Sequence, residues 1–194
     1  MASSPVRIPP AVVVVMGVSG SGKTTVAALL AGRLHWDFED ADDLHPAANV
    51  AKMHAGTALT DADRWPWLNA VAGWIDATRA ARRQGIVACS ALRRSYRDVI
   101  IGDRPDVRLV YLKGDQNLIR ARLTCRQGHY MPAALLASQL EALEEPTPDE
   151  RPIVVSVERR PREIVDELLS IIQSMPTGAA AVPSSPIRAP GPSR

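Results

Sequence analysis

The residues best suited to chemistry are consecutive: Gly17-Val18-Ser19-Gly20-Ser21-Gly22-Lys23-Thr24 matches the phosphate-cradling pattern G-x-x-x-x-G-K-[ST] at every fixed position. Phosphate oxygens need converging donors with no side chains in the way. Glycines let successive backbone N–H groups turn inward, and a helix start behind them adds its positive dipole end. Lys23 adds a mobile point charge and Thr24 a hydroxyl for Mg²⁺, so the implied ligand is a polyphosphate. An acidic run, Asp40-Ala41-Asp42-Asp43, is the next feature. In an extended segment Asp40 and Asp42 would point to the same side. Farther on, Arg122 and Arg126 are four apart and share one face of a helix, beside a break at Gly128.

These groups need a scaffold, and the hydrophobic pattern supplies one. Ala11 to Met16 is a short β-branched run that reads as a fully buried parallel strand entering the glycine loop. Behind the loop, Val26, Leu29, Leu30 and Leu34 recur at helical spacing. Trp36 to Glu39, Ile86 to Cys89, Val107 to Leu112 and Ile153 to Val157 read as four more strands. Helices are expected after Pro46 as far as Gly56, from Pro66 until Gly85 ends it, over 93–101, over 116–125, after Pro132 and after Pro161. Thr60 and Asp63 form a capping-box pattern, and Asp115 is placed to cap the helix that follows it. Strands alternating with helices imply a parallel sheet wrapped on both faces, with ligands at the strands' C-terminal edge.

At 194 residues the chain suits one well-packed domain, expected over 11–174. Residues 1–10 and the Pro/Ala-rich 175–194 read as mobile ends. Lys and Arg outnumber Asp and Glu by only 23 to 21. That balance argues against a nucleic-acid surface. Cys89 and Cys125 form no C-x-x-C pair, no apolar run nears the roughly 20 residues of a membrane span, and residues 1–10 lack the apolar core of a secretory signal. A cytoplasmic protein without membrane contact is the expectation.

Five stretches together resemble gluconokinases of the short bacterial and animal type, within the shikimate-kinase-like group of P-loop kinases. They are MGVSGSGKTT at 16–25, DADDLHPAANVAKMHAGTALTDADRWPWL at 40–68, CSALRRSYRDVI at 89–100, VYLKGD at 110–115 and RLTCRQGHYM at 122–131. The resemblance covers about residues 11–173, and the stretch at 40–68 is its most specific part. Arg93 and Arg94 stand where relatives often carry lysine, and Tyr130 where phenylalanine is common. The resemblance implies an α/β P-loop kinase fold: a five-stranded parallel sheet in the order 2-3-1-4-5, helices on both faces and a mobile lid. It also implies transfer of the γ-phosphoryl of ATP to the 6-hydroxyl of D-gluconate, with Mg²⁺, commonly in a homodimer, in sugar-acid metabolism feeding the pentose phosphate pathway.

Site roles follow from that resemblance. Gly17, Val18, Ser19, Gly20, Ser21, Gly22, Lys23, Thr24 and Thr25 would hold the nucleotide, with Lys23 on its β- and γ-phosphates. Thr24 and, through water, Asp40 would hold Mg²⁺. Asp42 would orient the acceptor hydroxyl and take its proton. A sugar acid needs a cation for its carboxylate, and planar guanidinium fits bidentately. Arg64 and Arg97 are the first choices, with His45 and His129 as hydroxyl partners. Arg122 and Arg126 would bring positive charge to the γ-phosphate from the lid, and Arg160 lies in the turn expected to border the adenine. Trp65, Trp67 and Trp74 read as packing residues. Three rivals stand beside this reading. A nucleotide-binding interaction protein without turnover is one, against which the intact Lys23, Thr24, Asp40 and Asp42 set argues. A kinase of another hydroxylated acceptor, such as shikimate or a nucleoside, would keep the fold. A GTPase would read guanine through an [NT]-K-x-D segment, which Leu112-Lys113-Gly114-Asp115 mimics imperfectly because leucine offers no amide.

Overall fold

The computed structural model describes residues 10–124 and 133–175. Five strands, β1 (Val12–Met16), β2 (Asp37–Asp40), β3 (Gly85–Ala88), β4 (Val107–Lys113) and β5 (Ile153–Ser156), form one parallel sheet in the order β2-β3-β1-β4-β5. This is the order the resemblance implied. β1 is central and wholly buried because every residue in it is apolar and both of its edges are paired.

Among the described residues seven helices surround the sheet: α1 (Lys23–Leu34), α2 (Ala47–His54), α3 (Asp61–Ala80), α4 (Arg94–Ile100), α5 (Gln116–Thr124), α6 (Ala133–Ala142) and α7 (Pro161–Gln173). Strand alternation assigns the two faces. Val13, Val15, Ile86 and Val110 pack against Leu30 of α1 and Leu168 of α7. Val12, Val14, Val87 and Leu109 pack against Leu68 and Ile75 of α3 and Ile100 of α4. A smaller cluster, Val18, Leu92, Ile119 and Leu136, seats α5 and α6 beside the glycine loop.

The chain leaves β1 through α1 toward β2 on one side, and leaves β3 through α4 toward β4 on the other. The crevice between the C-terminal ends of β1 and β3 is therefore the topological switch point where open α/β sheets bind ligands. Residues 17–22 and 89–93 line it.

Two expected boundaries move. α3 stops at Ala80 and not at Gly85, with Ala81 as its cap and Arg82 at φ 53°. Gly85 opens β3, where a Cβ would stand 2.7 Å from Trp74 Cη2, so glycine answers packing there and not helix termination. The segment Glu145 to Pro152, which its composition marks as a loop, is not wholly irregular either. It holds a 3-10 turn, Pro148–Glu150, closed by a capping box between Thr147 and Glu150. Among the described residues no helix is long and apolar enough to cross a membrane.

Candidate active site

Gly20 at φ 83° and Gly22 at φ 94° place the loop backbone in the left-handed region, which is what turns consecutive amides toward one concavity. A Cβ on Gly22 would meet no atom within 4 Å, so the space beside it is open. Ser21 Oγ is the one buried side-chain polar atom without a hydrogen-bond partner among the described residues. An orphan hydroxyl inside an amide-lined loop suits an anion. Lys23 Nζ folds back to donate to the Val18 carbonyl at 3.2 Å. The Ser19 N–H donates to Gln139 Oε1 of α6 at 2.7 Å, a partner with no signal in the sequence pattern.

Asp40 and Asp42 come together by a route other than the expected one. Asp40 is the cap of a 3-10 turn, Ala41–Leu44, and its Oδ1 accepts from the Asp42 N–H at 3.1 Å. The chain turns between the two residues, so their proximity comes from the turn and not from extended-strand alternation. Asp40 Oδ2 accepts from Thr24 Oγ1 at 2.7 Å, which joins the end of β2 to the start of α1. Two adjacent hard oxygens suit Mg²⁺, which takes few protein ligands and completes its shell with water and phosphate. Among the described residues no group of three or more His, Cys, Asp and Glu could hold a metal ion without such help.

Burial first, and then the charge of Asp40, push the Asp42 carboxyl above its ordinary range, against the opposing pull of Lys23 and His45. Asp42 thus shares one electrostatic neighbourhood with the loop lysine. The His45 ring stacks on Trp67 at 4.3 Å, and burial holds it below the usual histidine range, with Arg64 adding to the effect and Asp42 opposing it. Asn49 Nδ2 donates to the Asp63 carbonyl at 2.8 Å and lies 3.4 Å from His45 Nδ1. The carbonyl fixes the amide's orientation, so Nδ1 accepts and Nε2 carries the proton. Trp67 is buried, and its Nε1 donates to the Ala41 carbonyl at 2.6 Å, pinning the turn that carries Asp42.

The arginines divide. Arg64 is partly exposed at the start of α3, with Nη1 3.2 Å from Tyr96 Oη and 3.5 Å from Asp61 Oδ1. Arg97 is turned to structural partners. It is 2% exposed, its Nε and Nη2 grip the Glu150 carboxylate at 2.5 and 3.0 Å, and its Nη1 serves the carbonyls of Ala91, Leu92 and Glu144. A guanidinium so engaged acts as a structural staple, with its donors spent inside the chain and not on the acceptor side expected from the sequence. Arg122 Nη2 donates to the Val157 carbonyl just beyond β5 at 2.6 Å. Arg160 caps α7 through its backbone N–H, which donates to Glu163 Oε2 at 2.8 Å, and its side chain is exposed beside the same strand end. Arg126 and His129 lie outside the described residues. The guanine-reading imitation has both its polar side chains engaged elsewhere: Lys113 pairs with Glu145 at 2.7 Å, and Asp115 caps α5 by accepting from the Asn117 N–H at 2.8 Å.

A glycine-rich nest between the central strand and its helix, with an acidic pair where β2 ends and turns, joined to that helix through Thr24, defines a P-loop phosphotransferase. The family described as AAA domain matches residues 12–146. The gluconokinase of Gluconobacter oxydans (strain 621H) is 47% identical over 165 residues, spanning 85% of this chain and 93% of that one. Among solved structures, a sugar kinase from Janibacter sp. HTCC2649 superposes with a TM-score of 0.79 at 45% identity, covering 85% of this chain and 95% of its own. A gluconokinase from Sinorhizobium meliloti 1021 gives 0.77 at 42%, covering 86% and 93%. The chain belongs to the gluconokinase family.

Proposed function

We propose that this protein transfers the γ-phosphoryl group of ATP to the 6-hydroxyl of D-gluconate, giving 6-phospho-D-gluconate and ADP. The observation that carries the reading is the Asp42 carboxyl, desolvated and set beside Asp40, in the field of the P-loop lysine at the sheet's switch point. Phosphoryl transfer asks a protein mainly to position two reactants and to offset charge on the group in flight. The loop amides and Lys23 seat the triphosphate, and Arg122 borders its far side. Asp42 accepts the proton of the 6-hydroxyl as that oxygen bonds to the γ-phosphorus and the bridging oxygen leaves with ADP. A carboxyl whose pKa is raised by desolvation and a neighbouring charge is a stronger base than an ordinary one. His45 offers its Nε2–H to a sugar hydroxyl, and Arg64 takes the carboxylate. Thr24 and Asp40 would hold Mg²⁺, which when bound offsets the charge of the β- and γ-phosphates.

The same proposal has the enzyme working in the cytoplasm as a homodimer. Sedimentation of the purified chain tests the dimer. An ADP-release assay across D-gluconate, other sugar acids, shikimate and nucleosides tests the activity, with gluconate expected to give the largest release. Release no greater than buffer with gluconate, alongside turnover of another acceptor, would overturn the assignment.

A further inference from the structure

Near His45, four side chains from the start of α3 and the start of α4 converge on a point at which sequence reading gave a ligand role to Arg64 alone. Asp61, the first residue of α3, accepts from Tyr96 Oη at 2.6 Å and from Arg93 Nη1 at 2.9 Å, with Arg64 Nη1 at 3.5 Å. Both guanidiniums sit 5.8 Å from the centre of the Tyr96 ring, so two cations flank one aromatic and share one carboxylate. The Tyr96 hydrogen bond first, then Arg93 and Arg64, hold Asp61 below its usual carboxylate range.

The charges do not balance: two guanidiniums face one carboxylate. Each arginine uses only Nη1 in this clasp, and its Nε and Nη2 have no partner among the described residues. The side chains of Arg64 and Arg93 remain 31% and 39% exposed, so a small ligand can reach the unused donors. Arg93 immediately precedes α4 and follows the segment leaving β3, at the switch-point edge of the sheet. Arg64 lies within electrostatic range of His45, which in turn feels Asp42.

We infer that Arg93 is a second substrate-carboxylate-binding residue, paired with Arg64 across a clasp in which Asp61 and Tyr96 hold the two guanidiniums side by side. The inference rests on the gluconate reading and deepens it. Without Asp61, like-charge repulsion would part the arginines. With it, the site keeps one net positive charge, matched to one carboxylate, and free N–H donors from two directions. Asp61 and Tyr96 are positioning residues, and Arg93 and Arg64 touch the ligand. A neutral sugar with the same hydroxyls would leave that one net positive charge unanswered, which makes the clasp a selector for acids.

The test compares two ligands by titration calorimetry on the full chain: D-gluconate and D-gluconamide, which replaces the carboxylate with a neutral amide. The wild-type protein is expected to bind gluconate about 10- to 100-fold more tightly, the range of hydrogen bonds to charged groups. Arg93→Ala should weaken gluconate about tenfold or more and leave gluconamide nearly unchanged, with Arg93→Lys between. Asp61→Asn should shrink the same preference several-fold. Equal weakening of both ligands in Arg93→Ala, or an undiminished preference in either alanine or asparagine variant, overturns the inference while the gluconate reading stands. A wild-type protein that binds neither ligand overturns both.

Discussion

In the proposed reaction the residue on which turnover depends most directly is Asp42, and its environment sets two opposite expectations. As the base, its loss in Asp42→Asn should lower kcat by about 10²–10⁴-fold, the usual range for general-base removal, with the ATP KM nearly unchanged. The pH profile carries a sign. Asp42 must be ionised to act, and burial and Asp40 raise its pKa, so kcat/KM should fall on the acid side at a pH above the ordinary aspartate value of 3.8. Stability runs the other way. A carboxyl raised in the folded state favours folding when protonated, and that contribution is lost as pH rises through the folded pKa. The asparagine variant should therefore melt higher than wild type at pH 7 by calorimetry, as a site that trades stability for function does. A kcat near wild type, or a lower Tm, would count against a desolvated catalytic base at this position. Residue types alone placed Lys23, Thr24, Asp40 and Asp42 in the site, because each has a fixed spacing from the glycine loop or from a strand end. Arg93 and Tyr96 escaped that reading. Their importance comes from α4 meeting the start of α3, and nothing between positions 61 and 96 in the sequence announces such a meeting.

At the scale of elements, the start of α3 is where local stability and substrate recognition meet. Thr60 and Asp63 close a capping box: the Asp63 N–H donates to Thr60 Oγ1 at 3.3 Å, and the Thr60 N–H donates to Asp63 Oδ2 at 2.9 Å. Lys52 of α2 adds a 2.6 Å bond to the same carboxylate, and together these bring Asp63 down to about 2. A depressed carboxyl stabilises the fold above its ordinary 3.8, and that stability is lost as pH falls toward 2. Removing the cap with Thr60→Ala should cost about 1 kcal/mol. That is roughly 2–4 °C of Tm for a chain of this size. Because Asp61 and Arg64 ride on the same turn, the gluconate KM should rise more than the ATP KM. A variant that melts lower with both KM values unchanged would show that the cap supports the helix without aligning the clasp. The capping box, the five strands and the helix phases were all readable because each is a local pattern, of period two, period 3.6 or a four-residue cap. The end of α3 was not. Gly85 looks like a helix stop until Trp74 is seen packed over it, and the turn between Asp40 and Asp42 is invisible in a run that also alternates like a strand.

For the whole molecule, the strand order became accessible only through resemblance, since apolar runs mark strands without saying which are neighbours. Once the order is known, one buried side chain explains how the α4 side of the sheet is tied to the approach to β5. Arg97 reaches from α4 to the carbonyls of Ala91 and Leu92, to the Glu144 carbonyl and to the Glu150 carboxylate, so it fastens the segment leaving β3 to the segment entering β5. Its side chain is 2% exposed and that of Glu150 is 8% exposed. Breaking such a pair from one side strands a buried charge and three carbonyl acceptors, which typically costs about 3–5 kcal/mol. Arg97→Ala should therefore lower Tm by about 6–20 °C. Arg97→Lys should recover only part of the loss, because an ammonium cannot fork onto Glu150 and reach the three carbonyls at once. Replacing both partners, Arg97→Met with Glu150→Leu, should be milder than Arg97→Ala, since no charge is then left stranded. Assayed well below its melting transition, the alanine variant should keep a gluconate KM within about twofold of wild type, as expected of a substitution whose effect lies in folding rather than binding. A large rise in that KM with little loss of Tm would return Arg97 to the acceptor pocket and remove the staple.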